Sequence, residues 1–100
     1  MIKHIILWQL SDSLSDGEKA RVKLAAKEKL EGLFGKIDGL TEIKVIISGL
    51  GGSNADMMLD SSFVSEKALA DYSVNPMHVA VADNYVRPFI KARSCINFET

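Results

Sequence analysis

The sequence has little of what marks secreted, membrane-spanning or nucleic-acid-binding proteins. Its 100 residues include one cysteine, Cys95, so an internal disulfide is excluded and a reducing, cytoplasmic location is expected. No apolar run reaches the roughly 20 residues that a membrane-spanning helix needs, so no membrane association is expected. The 12 Lys and Arg residues are matched by 13 Asp and Glu and form no basic block, which argues against a nucleic-acid partner.

Proline is also scarce, since Pro76 and Pro88 are the only two in the chain. Few interruptions of this kind leave long segments free to form regular secondary structure. The composition, 47% hydrophobic and 25% charged, is typical of a globular domain. A chain of this length predicts a single domain over residues 1–100.

The pattern of apolar residues predicts four strands and two helical segments. Ser15 and Glu18 form a capping box, and an apolar stripe at spacings of three and four follows it: Val22, Ala26, Leu30, Leu33 and Ile37. We expect this first helix to end at Gly35 and Gly39. β-Branched and alternating segments predict strands at residues 2–10, 41–48, 56–64 and 93–99, with the second helical segment at 65–86. The order β-α-β-β-α-β predicts an α+β protomer of the split ferredoxin-like type.

Alternation along the strands divides their side chains between two faces of the sheet. One predicted set lies under the helices: Ile2, His4, Ile6, Trp8, Leu10, Ile43, Val45, Ile47, Met57, Leu59, Phe63, Ile96 and Phe98. The opposite set has an apolar centre within a charged rim, and that centre consists of Ile5, Leu7, Ile46, Met58 and Cys95. Two helices cover only one face, so we expect the second face to pair with another copy of the chain in a homodimer. A half-solvated antiparallel sheet is the simpler alternative.

The segment from Tyr72 to Val79 places a phenol and an imidazole six residues apart. A continuous helix would not align Tyr72 with His78, because six residues at about 100° each leave them on different faces. Asn75 and Pro76 predict a break, with Asn75 as the cap and Pro76 at the first position of a new helix. Tyr72 and His78 can then converge on one pocket.

In their order and spacing, five segments resemble the stress-responsive A/B barrel (Dabb) family: residues 2–7, residues 56–59, Phe63 with the Ser-Glu helix start after it, residues 72–80 and residues 86–89. The resemblance implies a ferredoxin-like protomer and a dimeric α+β barrel, in which two sheets enclose the barrel. One branch, similar to the plant olivetolic acid cyclase, closes a linear polyketide by aldol condensation without a cofactor. The resemblance implies that Tyr72 and His78 correspond to the tyrosine and histidine that carry the chemistry in that branch. His4 corresponds to its pocket-lining histidine on the first strand.

Each candidate site residue has a structural alternative. His78 is a candidate general base. Its structural alternative is a ring nitrogen that hydrogen-bonds a nearby carbonyl and so holds the Pro76 corner in place. Tyr72 is a candidate hydrogen-bond donor to a substrate carbonyl or a core tyrosine whose hydroxyl bonds locally. His4 is predicted to line the ligand pocket, with a satisfied core histidine as the alternative, and Trp8 and Phe89 are predicted pocket walls. Two histidines far apart in the chain, with no carboxylate at ligand spacing, predict no metal site.

Three kinds of function remain open. The first is a small dimeric protein of undefined activity that binds a small apolar or aromatic ligand between the sheet and the second helix. The second is a cofactor-free enzyme on the same pocket, either polyketide-cyclase-like or monooxygenase-like. A purely structural assembly module is the third. A pocket that admits both Tyr72 and His78 would favour the first two.

Overall fold

In the computed structural model, which describes every residue from Met1 to Thr100, three helices pack on one face of a four-stranded antiparallel sheet. The elements in chain order are β1 (Ile2–Leu10), α1 (Asp16–Glu31), β2 (Leu40–Ile46), β3 (Met57–Phe63), α2 (Glu66–Val74), α3 (Pro76–Tyr85) and β4 (Ile90–Glu99). The strands lie in the order β2-β3-β1-β4, and each neighbouring pair is antiparallel. The predicted ferredoxin-like α+β protomer is confirmed.

Helix α1 begins as predicted but ends early. The Ser15 side chain accepts from the Glu18 N–H at 3.1 Å, and the Glu18 carboxylate accepts from the Ser15 N–H at 2.9 Å. The predicted end at Gly35 and Gly39 is wrong, because the helix stops at Glu31 and Gly32 is its C-cap. Glycine is a poor helix former, and the chain continues from there in tighter turns. Those turns still bury Leu33 and Ile37 in the core.

The Asn75–Pro76 corner divides the second helical segment into α2 and α3, as predicted. Asn75 ends α2, and its side-chain oxygen accepts from the Met77 N–H at 2.9 Å at the start of α3. Pro76 occupies the first position of α3, where a missing N–H leaves no hydrogen bond unmade. No helix in the structure is both long enough and apolar enough to cross a membrane.

The covered face of the sheet carries the core. Along β1 the alternate residues Ile2, His4, Ile6, Trp8 and Leu10 are all buried, as the period-two pattern predicts. On β3 the corresponding buried residues are Met57, Leu59, Ser61 and Phe63. This face, together with the inner sides of the three helices, forms the main hydrophobic cluster.

The side assignment predicted for β4 is wrong. In the register of β4 against β1, Ile96 lies opposite Ile5 and Phe98 opposite Lys3, so both apolar residues belong to the open face. Cys95 lies opposite Ile6 and therefore on the helix side, which removes it from the predicted interface centre. A one-residue change in register moves every side chain of a strand to the opposite face of the sheet. When both faces have apolar centres, hydrophobicity alone does not show which face a given residue occupies.

The other open-face residues lie where the alternation places them. Met58 is opposite both Leu7 and Ile46, so the three form a row across three strands. Ile5 lies in the next row, beside Ile96. The structure therefore defines an open apolar face with these members: Ile5, Leu7, Ile46, Met58, Ile96 and Phe98.

Candidate functional site

A cavity of about 300 Å³ lies between the covered face of the sheet and the α2–α3 pair. Its wall is largely apolar, with contributions from β1, β3, α1 and α3 as well as the start of β4. Polar groups line the remainder: His4, Tyr72, Ser73, His78, Arg87 and Arg93. An apolar cavity with a few convergent polar groups is the usual form of a small-molecule site.

Tyr72 and His78 meet in this cavity because of the Asn75–Pro76 corner. Their ring centroids are 4.0 Å apart and their planes differ by 32°. Tyr72 is 1% exposed, yet its hydroxyl has no hydrogen-bond partner within the protein, and neither has the buried Nδ1 of His78. A buried polar atom without a partner costs about 1–3 kcal/mol, so both residues carry an unsatisfied polar atom beside the cavity.

His4 approaches the same site from β1. Its Nδ1 lies 2.6 Å from Oδ1 of Asn97 on β4 and 3.7 Å from the Cys95 sulfur, and its ring is 6.3 Å from that of Tyr72. With an amide oxygen as its partner, Nδ1 carries the proton and Nε2 is left with its lone pair. The Asn97 contact thus sets both the tautomer and the orientation of the ring.

Burial makes both histidines weak bases and Tyr72 a weak acid. Desolvation lowers the pKa of His78, the backbone carbonyls of Ser73 and Tyr72 partly oppose that change, and the positive charge of Arg87 adds to it. Desolvation also lowers the pKa of His4, with a smaller contribution from Arg93, although the Asn97 hydrogen bond opposes the change. The pKa of Tyr72 is raised far above its ordinary value by burial alone. Near neutral pH the site therefore offers neutral imidazoles, which accept protons, beside a phenol that keeps its own.

The structure brings together four of the five predicted site residues. His4, Trp8, Tyr72 and His78 all line the cavity. Phe89 does not, because it follows α3 in a short 3₁₀ turn and lies beside Leu14 and Tyr85 in a separate shallow depression. The prediction that Phe89 lines the pocket is therefore wrong. Trp8 and Tyr72 both line the cavity.

Two residues near the candidate site were not predicted there: Arg93, which lines the cavity, and Asn97, which contacts His4. Their alternation with Ile96 and Phe98, which were predicted to lie under the helices, predicts the open face for both, but the register of β4 against β1 pairs Arg93 with Trp8 and Asn97 with His4. The only sequence signal was a polar alternation at the end of the chain, which fits either face. No group of three or more His, Cys, Asp or Glu side chains is placed to hold a metal ion.

Comparison with known proteins identifies the family. The family model described as Stress Responsive A/B Barrel Domain matches residues 2–100. A dimeric protein of unknown function and ferredoxin-like fold from Bacteroides fragilis is 29% identical, with a TM-score of 0.92 over 99% of this chain and 95% of that one. No curated protein sequence matches this chain significantly.

Two more distant structures share the fold. A Dabb family protein with a ferredoxin-like fold from Mesorhizobium loti is 20% identical, with a TM-score of 0.75, covering 99% of this chain and 95% of that one. A hydroxynitrile lyase from Passiflora edulis is 15% identical, with a TM-score of 0.71, covering 97% of this chain and 90% of that one. At these identities the likeness establishes the architecture only.

Proposed function

This chain belongs to the stress responsive A/B barrel (Dabb) family, and we propose that it acts as a homodimer that binds a small apolar or aromatic ligand in the cavity between the sheet and α2–α3. The observation that carries the proposal is the Tyr72 hydroxyl, buried at the cavity wall without a partner in the protein. A ligand with one hydrogen-bond acceptor on an apolar body satisfies that hydroxyl and fills the remaining space.

The open apolar face supports the dimer. Leu7, Ile96 and Phe98 are 42%, 60% and 42% exposed in the protomer, and they lie close together on one side of the sheet. Lys3 and Asp60 form an ion pair beside them. An apolar centre with charged groups around it is the composition of a protein interface, and the similar protein from Bacteroides fragilis is dimeric. Cytoplasmic location stays a prediction from the single cysteine.

The first experiment asks whether the cavity is occupied in the purified protein. Mass spectrometry of native, unextracted protein should detect a bound small molecule that is released on unfolding. The matched variants are Tyr72→Phe, which removes the unpartnered hydroxyl, and Tyr85→Phe, which removes a hydroxyl outside the cavity. We expect reduced occupancy in the first variant alone. Equal occupancy in both variants would show that the ligand lies elsewhere.

A cofactor-free enzyme on the same cavity is the second candidate, and the Tyr72–His78 contact favours it. Neutral His78 can remove a proton next to a carbonyl, while Tyr72 donates a hydrogen bond to the oxygen on which charge develops. Ring closure by aldol addition would follow if the resulting enolate met a second carbonyl of the same molecule. A base and a hydrogen-bond donor are the two groups that this ring closure requires.

The enzymatic step can be tested without the natural substrate. Acetophenone exchanges its methyl protons slowly in deuterated water near neutral pH, and proton nuclear magnetic resonance follows the exchange directly. We expect the protein to accelerate this exchange, and His78→Ala to lower the accelerated rate by roughly 100-fold, as the loss of a general base does. Tyr85→Phe should retain the full rate. If the wild-type protein gives no acceleration, the enzymatic candidate fails while ligand binding can still stand.

A further inference from the structure

Arg93 holds an unusual position at the edge of the cavity. It lies near the start of β4 and opposite Trp8 of β1, which places its side chain on the helix side of the sheet. Its side chain lines the cavity and is close enough to His4 to lower the pKa of that ring. No helix covers β4 extensively, so Arg93 is exposed to solvent at the mouth of the cavity.

The charges around the cavity are of one sign. Its lining includes Arg87 and Arg93 but no aspartate or glutamate. Arg87 is neutralised by an ion pair with Asp83, one turn earlier on α3. Arg93 makes neither an ion pair nor a side-chain hydrogen bond, so its guanidinium brings an uncompensated positive charge to the cavity mouth.

We propose that the ligand is a carboxylate, with its apolar or aromatic body against Trp8 and its charged group on the guanidinium of Arg93. This inference deepens the proposed function and rests on it. Arginine presents a planar fork of N–H donors that matches a carboxylate in two parallel hydrogen bonds. Arg93 is the one cation of the lining without an ion pair, which suits one negative charge at one end of the molecule, and the Tyr72 hydroxyl is left for an acceptor elsewhere on the ligand.

Two probes of nearly equal shape separate charge recognition from cavity binding. They are 2-naphthoate, a carboxylate, and 2-naphthamide, its neutral counterpart, with dissociation constants measured by isothermal titration calorimetry. We expect the wild-type protein to bind naphthoate about tenfold more tightly, since a partly solvated charge-assisted hydrogen bond contributes on that scale. Arg93→Gln should remove the preference by weakening naphthoate alone.

Lys91→Gln is the matched control, because Lys91 carries the same charge on the same strand but pairs with Asp12 away from the cavity. It should keep the preference for naphthoate. Equal affinities for the two probes in the wild-type protein would overturn the carboxylate assignment while leaving the cavity site intact. A preference that survives in Arg93→Gln, or that is lost equally in Lys91→Gln, would also overturn it. If neither probe binds at millimolar concentration, both this inference and the proposed function fail.

Discussion

The two faces of the sheet are both apolar at their centres, but only one is covered by helices. On the covered face, Phe63 is fully buried and its ring lies 5.0 Å from that of Tyr72. On the open face, Phe98 is 42% exposed at the free edge of the sheet. The same residue type thus has two environments: Phe63 is part of the protomer core, and Phe98 lies on the face that we propose pairs with a second copy.

The comparison shows that apolar character does not identify a core. Period-two alternation separates the residues of a strand into two sets, but the location of the helices decides which set is buried. We therefore expect changes on the covered face to affect protomer stability and the candidate site, and changes on the open face to affect assembly.

The largest effect is expected from Phe63→Ala. Removing a fully buried aromatic ring takes away its burial energy and leaves a cavity beside Tyr72, at a cost of about 3–5 kcal/mol in the free energy of unfolding. Phe98→Ala, the matched change on the open face, should cost about 1 kcal/mol, because much of that ring is already in contact with water. Urea unfolding at low protein concentration measures both values. Losses of the same size would contradict the distinction between the faces.

Leu7→Asp should act on assembly. A charge at the centre of the open face would be buried without a partner in the proposed dimer, weakening association by about 2 kcal/mol or more, which is about 30-fold. Sedimentation equilibrium at micromolar concentration should then detect monomers. The control is Leu24→Asp, since Leu24 is 61% exposed on α1 and lies outside the open face. A folded Leu7→Asp protein that remains a dimer would refute the interface.

The smallest effect is a pH dependence confined to the covered face. His4 and His78 both have folded-state pKa values below the ordinary 6.5. Below about pH 6.5 the unfolded chain therefore binds more protons than the folded protein does. Stability is therefore full above that pH and decreases below it, by at most about 1.4 kcal/mol per pH unit for each histidine. On the open face, Asp60 raises the pKa of Lys3, which keeps its charge throughout this range.

Urea unfolding at about pH 7.5 and about pH 5.5 measures this dependence, in a range where carboxylates remain ionised. His78→Asn should reduce the loss of stability at the lower pH by removing one of the two buried imidazoles. An unchanged pH dependence in that variant would mean that His78 does not titrate differently in the folded and unfolded states.

Much of the site was predictable, and the part that was not lies on one strand. The Tyr72–His78 pair follows from local chemistry, because Asn75 and Pro76 set the corner that turns both rings the same way. His4 follows from the alternation of β1, a strand with neighbours on both sides. Arg93 did not follow, because it lies on an edge strand whose residues are exposed on both faces and give no burial signal.

The sequence by itself determined the elements and their order. Capping residues, the apolar stripe of α1, the alternation of β1 and the Asn75–Pro76 corner are local properties, and each acts over a few residues. Only the tertiary structure decided the register of β4 against β1, and with it the sides on which Cys95, Arg93 and Ile96 lie. The reason is that strand pairing is a contact between distant segments, and a shift of one residue reverses every side chain without changing the strand's own pattern.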